Sequence, residues 1–303
     1  LSFLPLLSFT DTRHSESTYP EFDETIVKER VEKMDSDVVE PRYDIIVKSY
    51  LRTYLVRSRA HSENIIGKSV LYFPIFEKHL KAHNLPTDLK YLPIVESALN
   101  PKAISRANAV GLWQFMAPTA KEYGLKINNY VDERSDPEKS TEAACKFLTE
   151  SYNLFKNWTL AAASYNVGRK NISNQIERQK VNNYYDLLLN EETARYVFRI
   201  LAFKLISQNP SAFGFHLDDD DYYPSIPVVE VKVDSSITNI ARFASSYAIN
   251  YKILKHFNPW LRENYLTNKS GKTYLIKIPE GSKRSYPEMA ANVNEELNAD
   301  KPQ

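Results

Sequence analysis

Cysteine, glycine and methionine are all scarce here: one, seven and three in 303 residues. The single thiol, Cys145, closes no internal disulfide, so cysteine usage does not reveal the redox compartment. It lies within 141–148, a helical and apolar stretch, far in sequence from His79 and His83. No metal-ligand spacing joins these residues, and neither metal nor cofactor is expected. Cys145 is also too deep in the chain to carry a lipid. No run of about 18 apolar residues occurs, which excludes a membrane-spanning helix from this chain. Charge is nearly balanced, at +1, so no long-range field recruits nucleic acid.

What is present describes a globular protein: 43% hydrophobic and 25% charged residues, with 20 Tyr and three Trp offering flat aromatic faces. The length suits two domains, or one domain with extensions. Residues 1–40 are mostly polar and acidic and read as an N-terminal arm. Leu1 to Leu7 is apolar and does not begin with Met. It reads as the tail of a signal-peptide apolar region or as a trimmed start, so a lipid anchor would lie upstream. Helical periodicity appears over 43–56, 62–83 (with Pro74 expected to bend it), 87–98, 138–156, 158–167, 171–178 and 191–207. Asp136-Pro137 reads as a helix entry with an N-cap, and Pro118 suits the first turn of a short helix.

The chemistry centres on Glu96, in Pro93-Ile94-Val95-Glu96-Ser97-Ala98-Leu99-Asn100-Pro101. An acid ends an apolar helical run and is followed by a turn of small and polar residues. Apolar neighbours raise a carboxyl's pKa, and a carboxyl still protonated near neutrality can act as a general acid. Most acids at helix ends are simply solvated charges. Further elements change that reading: Ser105, then Gly111-Leu112-Trp113-Gln114 with Met116, then Ser164-Tyr165-Asn166-Val167-Gly168, then Glu192-Thr193 with Tyr196-Val197.

These four separated motifs, in this order, resemble the family 1 lytic transglycosylases, whose SLT domain is goose-lysozyme-like. The resemblance covers about 65–208. It implies Glu96 as the only catalytic acid, and Ser105 as the serine that orients the muramyl sugar. It implies Gln114 and Met116 as groove residues that contact glycan, Tyr165 as the tyrosine near the acid with Asn166 in the same motif, and Glu192 as a polar residue closing the groove. Trp113, Phe115 and Ser164 stand where Met, Ile and Ala are common in the family. We read the Tyr165 hydroxyl as pointing at Glu96, and Gly111 as allowing the backbone to approach a sugar closely.

Glycoside hydrolases usually need two carboxylates. Near Glu96 the closest acids are Asp88 and Glu122, both in stretches that look solvated. One acid suffices if the substrate supplies its own nucleophile. In peptidoglycan the muramyl 6-hydroxyl can do so, giving a 1,6-anhydro product. The alternatives are a hydrolytic muramidase or chitinase-like enzyme, and a non-catalytic cell-wall-binding scaffold. The resemblance implies peptidoglycan glycan strands as partner. It also implies a place in the periplasm or cell envelope of a Gram-negative bacterium, with outer-membrane association as a variant. A monomer is expected.

Asp218 to Asp221, followed by Pro224 and Pro227, reads as a linker over 211–226. A calcium loop would need spaced oxygens and a Gly turn, which this run lacks. Val228 to Val233 alternates like a strand, Ile237, Ile240, Ala241 and Ala244 fit one helix, 251–257 fits another, and 273–279 closes with a strand. This βααβ order, over 227–282, resembles a LysM module with Asp234-Ser235-Ser236 in place of the usual Gly-Asp-Thr turn. Two readings stay open for it: a glycan-binding module, or a packing domain without glycan affinity. Residues 283–303 read as a disordered tail. The expected fold is mainly α: a lysozyme-like helical catalytic domain at 41–210, then the small βααβ module.

Overall fold

A computed structural model describes residues 44–280; the expected arm at 1–40 and the tail at 283–303 lie outside the described residues. The chain is mainly helical. Helix α1 (Asp44–Arg52) passes into a π-helical turn at Thr53–Arg57. Helix α2 (Arg59–Ala82) runs on through Pro74. The stretch expected as one helix over 87–98 is two pieces, a 3-10 turn at Thr87–Tyr91 and the short α3 (Leu92–Ser97). Pro93 sits in the first turn of α3, where its missing N–H costs no helical bond.

Helices α4 (Ala117–Glu122), α5 (Pro137–Phe155), α6 (Trp158–Val167), α7 (Arg169–Gln179) and α8 (Glu191–Gln208) complete the helical domain. Their starts are written in local chemistry. Asp136 accepts from the Glu138 and Lys139 amides at 3.0 and 3.1 Å, Asn157 from Leu160, and Asn190 from Thr193. Helix α6 is central because Leu160, Ala161, Ala162, Ala163 and Ser164 are small or apolar and buried. It packs against α5, α7 and α8. Helix α8, with buried residues on every side from Tyr196 to Ile206, also packs against α1 and α3.

The segment expected as a linker is not a free tether. Phe213 and Phe215 are buried in the main core, and the Tyr223 amide donates to the Gly67 carbonyl at 3.1 Å. Gly67 has to be glycine there, because a Cβ would overlap the Asp221 carbonyl oxygen. Two apolar rings inside a nominally polar stretch hold it against the helices.

The C-terminal unit is β1 (Val228–Val233), α9 (Ile240–Ser246), α10 (Tyr251–Phe257) and β2 (Tyr274–Pro279). The strands pair antiparallel, Val228 opposite Pro279 and Val233 opposite Tyr274. Ile240, Ile253, Leu254, Trp260, Tyr274 and Ile276 form a second core. Val131, from the helical domain, is fully buried in that second core. Around it the Asp132 amide donates to Trp260 O and the Arg262 amide to Tyr130 O, both at 2.9 Å. Val131 and Leu261 pair as an antiparallel bridge. Glu133, almost wholly enclosed, accepts from Lys139 at 2.6 Å and Lys272 at 3.3 Å. No described helix is long and apolar enough to cross a membrane.

Candidate active site

Glu96 is the penultimate residue of α3, and the geometry of that helix end sets its position. Ala98 and Leu99 both adopt left-handed backbone, φ 51° and 57°, which stops the helix. The Ala98 amide still reaches Ile94 O at 2.9 Å, and the Leu99 side chain is fully buried as an anchor. Ser97 donates to Pro93 O and to Leu112 O, the latter at 2.9 Å, tying the helix end to the loop that follows.

That loop folds on itself through bridges pairing Ile104 with Val110 and Val110 with Phe115. The Ser105 hydroxyl accepts from the Ala109 amide at 3.0 Å and faces the cavity beside Glu96. Gln114 holds left-handed backbone, φ 48°, and its amide nitrogen donates to Gly111 O at 2.8 Å and Ala103 O at 3.3 Å. Its other face lines the cavity. Trp113 is fully buried and donates from Nε1 to the Thr141 hydroxyl at 2.9 Å.

Gly111 is required for a reason other than sugar contact. Its φ is +86°, and a Cβ would overlap the carbonyl oxygen of Arg134. Arg134 is itself part of the loop's support. Its guanidinium donates to Asn108 O at 3.0 Å and Phe115 O at 3.1 Å, while Asp132 holds it through bonds of 2.9 and 2.7 Å.

The tyrosine that touches the acid is Tyr196, not Tyr165. The Tyr196 hydroxyl donates to Glu96 Oε1 at 2.5 Å. The Tyr165 hydroxyl donates to Trp113 O at 2.8 Å, and its ring packs edge-on to Trp113, Phe115 and Phe147. Tyr165 therefore holds the floor of the loop. Asn166 accepts from the Thr193 hydroxyl at 2.8 Å and joins α6 to the start of α8. Glu192 is exposed, near enough for its charge to act on Glu96. Met116 is 42% exposed and stands outside the cavity lining. Tyr196 lies one helical turn after Glu192, so the spacing of the fourth motif held the signal that sequence reading passed over. Arg134 and Arg199 carry no such local signal.

Burial pushes the Glu96 carboxyl up to about 7; the Tyr196 hydrogen bond and the charge of Arg199 pull the other way, and Glu192 adds a small push upward. The carboxyl opens onto a cavity of about 470 Å³. Among the described lining residues Glu96 is the only acid. Asp88 instead pairs with Lys204 at 2.6 Å, and Glu122 lies 4.0 Å from Arg169. Burial likewise pushes the Cys145 thiol up to about 12, away from any reactive thiolate. The arrangement offers one proton that can be given and taken near neutrality, beside a hollow of sugar size.

Residues 73–188 match the family described as the transglycosylase SLT domain, and residues 229–282 match the soluble lytic transglycosylase C-terminal LysM-like domain. The chain is 32% identical over 234 residues to a membrane-bound lytic murein transglycosylase D of Escherichia coli, covering 76% of this chain and 48% of that protein. It is 32% identical over 126 residues to a putative tributyltin chloride resistance protein of Alteromonas, covering 41% of this chain and 59% of that one. It is 31% identical over 145 residues to a peptidoglycan transglycosylase of phage T7, covering 46% of this chain and 11% of that one. The chain thus spans about half the length of the first of these relatives. A solved structure of the 70 kDa soluble lytic transglycosylase of Escherichia coli aligns at TM-score 0.40 and 24% identity, over 46% of this chain and 24% of that one.

Proposed function

For a chain that carries a transglycosylase SLT domain followed by a LysM-like domain, we propose a lytic transglycosylase acting on peptidoglycan. The bond cut is the β-1,4 link from N-acetylmuramic acid to N-acetylglucosamine. Glu96, protonated, gives its proton to the glycosidic oxygen as that bond breaks. The resulting carboxylate then takes the proton of the muramyl 6-hydroxyl, whose oxygen closes on the anomeric carbon. The acid regains its proton, no water is consumed, and the product ends in a 1,6-anhydro ring.

One observation carries this reading: a single acid, raised to about 7, with no second carboxylate among the described residues of its cavity. Two-carboxylate hydrolysis needs a base or nucleophile across the ring, at about 5 Å in retaining enzymes or about 6.5–9.5 Å in inverting ones. Tyr196 orients Glu96, Ser105 and Gln114 face the glycan, and Met116 and Glu192 stand at the rim. The name of the murein relative supports a place in the cell envelope. Mass spectrometry of digested sacculi tests the proposal. Anhydro ends uphold it, reducing ends assign hydrolysis, and no soluble products reject an enzyme.

A further inference from the structure

The cavity beside Glu96 is walled partly by residues outside the matched SLT segment. Tyr54 comes from the π-helical turn after α1, His61 from α2 and Arg199 from α8, all outside residues 73–188. Arg199 is the only lysine or arginine among the described lining residues. It stands one turn beyond Tyr196 on the same helix, against the Tyr54 hydroxyl. His61 is exposed and lines the same wall. Among the described lining residues Glu96 is again the one acid.

A half-buried guanidinium facing a hollow favours an anion there. Arginine presents a flat fork of donors that matches a carboxylate at two points. A neutral sugar would be met as well by amides and hydroxyls, which the opposite wall already supplies through Ser105 and Gln114. Buried Ile65 and Ile94 in the same lining lower the local polarity, which strengthens a charge-to-charge contact.

We propose that Arg199, with His61 at the rim, forms a subsite for a carboxylate carried by the glycan substrate. This deepens the proposed function and rests on it. In peptidoglycan the carboxylate has two sources: the ether-linked acid of a muramyl residue without peptide, or the acid groups of an attached stem peptide. Both present the same planar anion to the fork. The site would then select acid-bearing strands over plain N-acetylglucosamine polymers.

The test is binding by calorimetry, made in a Glu96→Gln background so that nothing is cut. Three probes are used: muramyl-containing oligomers without peptide, the same oligomers with peptide, and N-acetylglucosamine oligomers. Adding Arg199→Met is expected to weaken binding of an acid-bearing probe about tenfold or more and leave the N-acetylglucosamine oligomers unchanged. Loss confined to peptide-free strands assigns the muramyl acid, and loss confined to peptide-bearing strands assigns the peptide. Equal loss on all three probes, or no loss on any, overturns the subsite. His61→Ala, at an exposed position, serves as the second variant and is expected to weaken the same probes by a smaller factor. Wild-type digestion of sacculi is run alongside. Absence of soluble products would reject the enzyme reading itself, while products together with unchanged binding would reject only the subsite.

Discussion

Gly111 lies flat against the carbonyl of Arg134, with no room for a methyl group between them. The loop that faces Glu96 is thereby pressed onto the segment that also grips the C-terminal unit. Gly111→Ala would meet both a left-handed φ of +86° and a backbone oxygen. We expect a loss on the order of 2 kcal/mol or more in chemical denaturation. A variant as stable as the parent would show that the loop can shift without penalty.

Tyr196→Phe removes the hydrogen bond that lowers the Glu96 pKa. The basic limb of the pH–rate profile, set by a carboxyl at about 7, should move upward, and kcat should fall by roughly tenfold as the acid loses its orientation. Tyr165→Phe removes a bond to Trp113 O instead and should leave the position of that limb unchanged. A limb that shifts with Tyr165→Phe and not with Tyr196→Phe would reverse these roles.

Glu96→Gln should abolish cleavage and alter stability in a pH-dependent way. The folded pKa is raised, to about 7, so the folded state holds its proton where the unfolded chain has already lost it. Below the unfolded value of about 4.3 the parent bears no penalty. As pH rises toward 7 the penalty grows, and above 7 it is complete. The variant should therefore match its parent near pH 4 and exceed it by on the order of 2 kcal/mol at pH 8, with cavity water limiting the gain. Denaturant midpoints at the two pH values decide this, and residual turnover by the variant would remove Glu96 from the chemistry.

Several elements could be read directly from the chain. Helix α6 at Trp158–Val167, α10 at Tyr251–Phe257 and β1 at Val228–Val233 begin and end where the sequence placed them. Asparagine caps and apolar periodicity are local signals, so no tertiary knowledge is needed. The region of Glu96 was legible for the same reason. Its partner was not. Tyr165 and Tyr196 are both tyrosines in the motifs that follow Glu96, and only the packing of α6 under the loop and α8 beside α3 decides which hydroxyl reaches the acid. The packing of the linker segment was not legible, because Phe213 and Phe215 are two rings outweighed in sequence by the aspartates around them. Arg199 and Arg134 act across long sequence separations and leave no periodic trace.

Thr141→Val is nearly isosteric, yet it strands the Trp113 indole N–H in a fully buried site. An unpaired buried donor costs about 1–3 kcal/mol, and thermal unfolding should register that loss. Thr141→Ser, which keeps the hydroxyl, should recover most of it. Equal stability of the valine variant would mean the indole finds another acceptor.

Val131→Asp would put a charge into the core of the C-terminal unit, where the native side chain is fully enclosed. Its penalty should exceed about 3 kcal/mol, and it should lower activity too, since Asp132 and Arg134 brace the cleft loop from the same segment. Full activity after undocking would separate the two roles.

The pairing of Val131 with Leu261 also bears on how such chains can be recombined. A cassette exchanged at this position must bring its own backbone edge and its own hollow for a valine, or the helical domain loses part of its scaffolding. The two units are thus joined by backbone pairing and a shared valine as well as by sequence order.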